Sequence, residues 1–420
     1  MENRSSPSAE QAIVNATNWK QTRLGNELEL LYGKGLPASA RVPGGVPVYG
    51  SNGVVGLHHK SLVDGPGIIV GRKGSVGEVA FSDGPFWPID TTYYVSNRGG
   101  NSWRFLYFLL RHLELTELNS HSTVPGLNRE SVYSIEWVFP PKDEQEKIAA
   151  VLWKIQKTVE IEDAIVRNAH DLKKSLLRRL FTHGLRGEPL KETEGGPIPQ
   201  SWRVGTINDV KLDQKGAIVS GPFGSNIGRR FFVESGVPLI RGCNLTKGDE
   251  LFVEENFVFI TEEKAQELKS CQALPGDLIF TAAGTLGQVG LIPRESQFPK
   301  YVISNKQLRA RIDPAKADSL YLFYWFACDV IQELIAQRRS GSSIPVINLS
   351  ILRSLPIPLP QTIKEQCEIA QTLQTVDRMI DIHESKKRSL QDLFKTTLHK
   401  LMTAQICVSD LDIDTSEVNG

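Results

Sequence analysis

EQEKIAAVL (residues 144–152) and EQCEIAQTL (residues 365–373) stand 221 residues apart and open the same kind of segment twice. Holding that offset, the first copy places Ile148, Leu152, Ile155, Val159, Glu162, Val166, Ala169, Lys173, Leu176 and Leu180 at alternating steps of four and three. The second places Ile369, Leu373, Val376, Ile380, His383, Lys387, Leu390, Phe394, Thr397 and Leu401 in the same series. Such spacing is a coiled-coil seam, and neither stretch contains Pro or Gly before its end. Each predicts a rod of about 60 Å at 1.5 Å rise per residue. A single rod is most simply one long core helix. Two rods in one chain can also cover each other's apolar stripe, with Ile148, Leu152, Ile155 and Val159 and their counterparts Ile369, Leu373, Val376 and Ile380 as the pairing positions. The polar intruders Glu162, His383 and Lys387 fall mid-rod, where antiparallel pairing brings them together to fix register.

Each rod follows its own globular segment. After a polar lead over residues 1–17, expected to be disordered, Asn18-Trp19 starts a region rich in Gly, Val and Tyr. VPVYGSNGVVGLHH (46–59) reads as strand, turn, strand; GPGIIVGRKGSVGEVAF (65–81) and WPIDTTYYV (87–95) are strand-like around tight turns. A helix is expected over 102–118. Ser201-Trp202 restarts this plan: VPLIRGCNL (237–245) stands where VPVYGSNGV stood, LPGDLIFTAAGTLGQVG (274–290) answers GPGIIVGRKGSVGEVA, and YLFYWFACD answers FLYFLLRH. The expected class is α+β, an internal repeat with pseudo-twofold symmetry. Two tandem recognition domains (18–142 and 201–363) alternate with helical regions (143–185 and 364–405) that form an antiparallel coiled coil. A linker (186–200) and an acidic, disordered tail (406–420) complete the division, and the domains fall at opposite ends of the rod pair, an arrangement suited to two half-sites in opposite orientation.

Composition narrows the class. The 420 residues carry 48 basic and 48 acidic side chains, so any nucleic-acid surface must be local or completed by a partner. Five cysteines, all in the second half and without a CxxC, argue against a disulfide framework or zinc site. The N-terminus lacks a signal-peptide core and the greasiest runs are too short to span a bilayer, so the expected compartment is the cytoplasm.

The glycine loops Gly71-x-x-Gly74-x-x-Gly77 and Gly284-x-x-Gly287-x-x-Gly290 match neither GxGxxG nor a Walker A loop. They read as tight strand–turn–strand corners, or as loops whose backbone approaches a ligand closely. Arg72, Lys73 and Ser75 are candidates for phosphates or base edges; the matching Ala282, Ala283 and Thr285 lack the charge, Thr285 staying a candidate. Tyr49, Ser51, Asn52, His58 and Lys60 are further candidates in the first domain. The second domain offers Ser225, Asn226, Arg229 and Arg230, then Arg241, Asn244 and Lys247, then Asn305, Lys306 and Gln307. Ordinary solvated loops are the competing reading for each. His58-His59 point to opposite faces of a strand and have no Cys or carboxylate company, so metal ligation is not expected. Asp90 and Asp277 lack partners for catalysis, and no nucleophile elbow, HExxH or (N/D)PP(Y/F) signature is present. No catalytic machinery, cofactor or metal is expected.

From Trp19 to Leu401 the chain resembles the specificity (S, HsdS) subunit of type I restriction–modification systems. The resemblance rests on the duplicated plan, VPVYGSNGVVG, GIIVGRKGSVGEV, GDLIFTAAGTLGQVG and the two EQ-x-x-I helix starts that follow a Pro, specific in their order rather than singly. It implies a non-catalytic protein that reads a split double-stranded DNA sequence and docks methyltransferase (M) subunits, two of them, with restriction (R) subunits outside. Lys147, Lys154, Lys157, Arg178, Arg179, Lys364, Arg378, Lys386, Lys387 and Arg388 are candidate docking charges. TAAGT departs from the family, which often has a basic residue there. Two alternatives stay open: a stand-alone duplicated DNA-binding protein, such as an orphan specificity subunit or regulator, and a coiled-coil adaptor carrying two ligand-binding domains.

Overall fold

The computed structural model describes residues 18–118, 126–248, 250–338 and 346–418; the lead expected to be disordered lies outside them. Two long helices, Lys142–His183 and Ile363–Met402, dominate it. The chain divides into two compact units, residues 1–163 with 385–420, and residues 164–384. Each unit therefore combines one α+β domain with half of each long helix, a finer division than one rod per domain.

The seam explains why. In the first unit Ile148 and Leu152 are fully buried in one core with Phe105, Phe108, Phe394 and Leu401. Polar contacts run Lys147 Nζ to the Ser409 carbonyl (2.6 Å), Glu162 to Lys386 (2.6 Å) and Asp163 to Lys387 (2.5 Å). Following the chain from Lys386 on to Ser409 leads back along the first helix from Glu162 to Lys147, so the two segments run antiparallel. In the second unit Ile369 and Leu373 bury with Leu180 and Phe181, while Ala169, Val376 and Ile380 form a separate seam cluster. Lys173–Asp377 (2.5 Å) and His170–Glu384 (3.8 Å) run antiparallel as well. Ile155 and Val159 are only partly buried. Glu162, the polar residue expected at mid-rod, is 3 % exposed and pairs with Lys386.

Both domains follow one strand plan. In the first, strands Leu28–Tyr32, Thr92–Asn97, Gly67–Gly71 and Val79–Ser82 form a sheet in that spatial order. In the second, Ile218–Ser220, Gln307–Ala310, Leu278–Thr281 and Val289–Leu291 repeat the order. A second sheet carries a parallel pair in each: Val46–Gly50 with Trp87–Pro88, and Val237–Ile240 with Tyr301–Ile303. Each domain also closes its termini with an antiparallel pair, Lys20–Arg23 on Glu136–Phe139 and Arg203–Thr206 on Pro356–Leu359.

The EQ motif joins helix to domain through the same bond in both. Gln145 Oε1 accepts from the Ser102 amide and Gln366 Oε1 from the Asp318 amide, each at 2.9 Å. Ser102 and Asp318 are the N-caps of the buried helices Trp103–His112 and Ser319–Ala327, so one glutamine satisfies a donor that helix formation leaves open.

Three local expectations change. The helix expected over 102–118 stops at His112, and Leu115–Leu118 continues as a 3-10 turn after Glu114 at φ 46°. The hairpin of the first domain (Val46–Gly50, Gly53–His58) has no copy at VPLIRGCNL, where Gly242–Asn244 coils into a 3-10 turn. The tail is not disordered over its described part: Val408 and Val418 are buried against the first unit's core, joined by Ile413.

Candidate nucleic-acid interface

The polar residues proposed from sequence separate into two groups. Tyr49 is 8 % exposed, its hydroxyl donating to the Phe81 carbonyl (3.3 Å) and its ring edge-on to Phe86, which makes it a core residue. His58 is buried; its Nδ1 accepts from the Val42 amide (3.0 Å) and its ring meets Trp87 edge-on. Asn244 is fully buried and bonds the carbonyls of Val253 (3.0 Å) and Glu255 (2.9 Å) and the Arg241 amide (3.0 Å), bracing the 3-10 turn. Gln307 is 1 % exposed and bonded to Ser304. These four serve the fold, because a buried amide, imidazole or phenol must find partners inside. Asp277, dismissed as a catalytic acid, is also structural: Arg311 grips it with two bonds (2.8 and 2.7 Å) and Arg309 lies 3.7 Å away.

The remaining candidates lie at the surface, wholly or in part. In the first domain Asn52, Lys60 and Lys73 are exposed, and Ser51 and Ser75 half-buried. Arg72 donates to the Asp90 carbonyl through Nε (3.1 Å) and Nη2 (2.6 Å), with its guanidinium over the rings of Tyr32 and Tyr93. Arg129 stacks on Tyr32 too, 4.7 Å from the ring centre, a cation that sequence reading missed because it stands in a short helix outside the loops. Tyr93 has its hydroxyl pushed up by burial and by Tyr32, with Arg72 and Arg129 pulling the other way. In the second domain Ser225, Asn226, Arg229, Arg230, Thr285, Asn305 and Lys306 are exposed. Arg230 holds the Ser225 carbonyl (3.0 Å) and Arg241 the Asn256 carbonyl (2.9 Å), so each loop is partly braced by its own arginine.

The glycine loops are strand–turn–strand corners with an accessible rim. In the first, the Gly71 amide bonds the Glu78 carbonyl (2.8 Å), the Arg72 amide the Thr91 carbonyl (2.9 Å) and the Leu127 amide the Arg72 carbonyl (3.1 Å). The second reproduces all three: Thr281 to Gln288 (3.1 Å), Ala282 to Lys306 (2.7 Å) and Ile347 to Ala282 (2.8 Å). Gly77, at φ 80°, packs so closely on the Leu115 backbone that a Cβ there collides with it. Between hairpin tip and loop the first domain has a cavity of about 190 Å3, lined by Ser51, Asn52, Ile69 and Glu78.

Lys247 lines a different cleft, of about 420 Å3, with His170, Lys173, Lys174 and Arg178 from the first long helix and Asp329 and Glu333 opposite. Lys174 pairs with Asp329 (3.1 Å) and Lys173 bonds the Gly248 carbonyl (2.5 Å), so part of this charge is internally balanced. Of the docking charges proposed for outer faces, Lys147 donates to the Ser409 carbonyl, and Lys386 and Lys387 pair with Glu162 and Asp163 within the first unit, Lys386 remaining exposed. Arg178, Arg179 and Arg388 are exposed. No group of three or more metal-binding side chains occurs among the described residues, nor any helix long and apolar enough to cross a membrane.

The family model described as "Type I restriction modification DNA specificity domain" matches residues 17–168 and 235–392. The MjaVIII specificity subunit of a type I restriction enzyme from Methanocaldococcus jannaschii is 24 % identical over 73 % of this chain and 71 % of its own. The EcoDI specificity subunit from Escherichia coli is 22 % identical over 88 % of this chain and 83 % of its own. In fold, the chain is similar to a type I restriction–modification S subunit from M. genitalium, with TM-score 0.63 and 16 % identity, covering 92 % of this chain and 96 % of that one. The chain belongs to the type I restriction–modification DNA specificity family, whose members are DNA-recognition subunits rather than catalytic ones.

Proposed function

We propose that this chain reads a two-part double-stranded DNA target, one part with each domain, and carries the methyltransferase and restriction subunits that act on it. The observation behind this reading is the repeated loop frame. Equivalent backbone bonds present Arg72, Lys73 and Ser75 in one domain and Ala282, Ala283 and Thr285 in the other. A frame that keeps its backbone while exchanging its protruding side chains suits two sequences read by one architecture. Lys306 stands exposed at the counterpart of Thr91, so a cation borders the second loop although TAAGT has none. Two methyltransferase subunits, one for each repeat, and a cytoplasmic setting complete the proposal.

The test is co-expression with the methyltransferase subunit of the same locus in a methylation-free host, followed by mapping of modified adenines. The expected result is a split motif with a constant gap. Co-purification without modification removes the target reading. Failure to associate, with tight salt-dependent DNA binding retained, favours a stand-alone binder; failure of both favours the adaptor.

A further inference from the structure

We propose that Glu78 is a specificity-determining residue, its carboxylate accepting a hydrogen bond from the exocyclic amino group of an adenine or cytosine in the part of the target read by the first domain. This rests on the DNA-reading function proposed above. Glu78 follows the loop Gly71–Gly77 and is exposed on the wall of the 190 Å3 cavity, with Ser51 and Asn52 at the opposite rim. Hairpin tip and loop are close neighbours: a Cβ built on Gly74 lies 3.1 Å from Ser51 Oγ. The backbone of Glu78 is fixed, since its carbonyl accepts from the Gly71 amide at 2.8 Å. Its carboxylate has no hydrogen bond or ion pair with the described residues.

The repeat supplies the control. Gln288 holds the same place in the second loop, its carbonyl accepting from the Thr281 amide at 3.1 Å. Its side chain is spent internally: Nε2 donates to the carbonyls of Gly242 (3.1 Å) and Leu245 (2.8 Å), and Oε1 accepts from Thr281 Oγ1 (3.1 Å). One frame thus holds a bracing amide in one domain and an unengaged anion in the other. None of the described residues uses that anion, and a bare carboxylate beside phosphates is unfavourable unless something answers it. Arg72 and Lys73, within the preceding loop, offset part of the repulsion. An acceptor-only group pairs with the N6 or N4 amino group in the major groove and repels the O6 of guanine and the O4 of thymine, so it selects by exclusion as well as attraction.

The experiment maps adenine modification by the full chain with its methyltransferase subunit over a randomised target library, comparing wild type, Glu78→Gln and Glu78→Ala. Gln keeps the shape and adds a donor, so guanine or thymine becomes acceptable at one position of one half. The expected result is a fall in discrimination of roughly tenfold or more at that position, with the other half and the gap unchanged. Wild-type discrimination in both variants overturns the proposal, as does an equal loss at every target. A wild-type protein that yields no split motif removes the DNA reading itself and this inference with it. The Ala variant guards against Gln finding a local partner, because it relaxes the same position without adding a donor.

Discussion

Gly71–Gly77 and the corresponding loop after Thr281 are tied down by three equivalent backbone hydrogen bonds, yet carry Arg72, Lys73 and Glu78 in one case and Ala282, Ala283 and Gln288 in the other. The cores differ as sharply. At the position of Gly67, where a Cβ meets the Phe86 ring at 2.7 Å, the second domain buries Asp277 between two arginines. Where His112 stands in the first domain, the second has Cys328, whose thiol burial pushes up to about 11. The helix-anchoring glutamines, by contrast, are retained in place and in their bond to the N-cap amide. The backbone ladder and the helix junction carry the architecture, leaving both cores and both rims free to diverge around them.

The largest test of that difference is Asp277→Ala. It leaves Arg309 and Arg311 without their buried counter-ion, and a loss of about 3–5 kcal/mol is expected from urea unfolding of the second unit. Acid is expected to strike the other unit. Burial first, and then the neighbouring His399, lower the His112 pKa to about 4. The folded state keeps this ring neutral while the unfolded chain takes up a proton below about pH 6.5. Stability is therefore full above that pH and declines as pH falls toward 4, by about 3 kcal/mol at most. Thermal melts from pH 7 to 4 check this, and His112→Gln should flatten the part of the decline that belongs to the first unit.

Smaller effects sharpen the comparison further. Gln145 also bonds Asn101 Oδ1 (2.7 Å) and the Pro140 carbonyl (2.9 Å), so Gln145→Ala should cost about 1–3 kcal/mol and Gln366→Ala about 1 kcal/mol in denaturant titrations. If the glycine-loop charges meet phosphates, Lys73→Ala lowers the slope of log affinity against log salt by about 1, and Ala283→Lys raises it by about the same amount. An unchanged slope in both variants removes phosphate contact from these loops.

The duplicated plan and the seam were legible because apolar period and fixed offset survive divergence: Ile148, Leu152, Ile369, Leu373, Val376 and Ile380 are all buried as the heptad demands. The partition of each helix between two units was not, since a seam shows which face is covered and not by what. Tyr49, His58, Asn244 and Gln307 misled because a polar residue in a turn-rich segment looks the same whether its partner is solvent, DNA or a backbone carbonyl. Val408, Ile413 and Val418 hide in an acidic tail, too sparse to show a period. Glu78 was passed over because an acid argues against DNA contact until its lack of a partner among the described residues is seen.

The central claim is that the two domains read independently on one scaffold. Its most direct measurement replaces residues 18–141 with the corresponding domain of a family member of different specificity and maps adenine modification with the cognate methyltransferase subunit. The account predicts that one half of the motif changes to the donor's while the other half and the gap stay as they were. A motif that changes in both halves, or in neither, contradicts it.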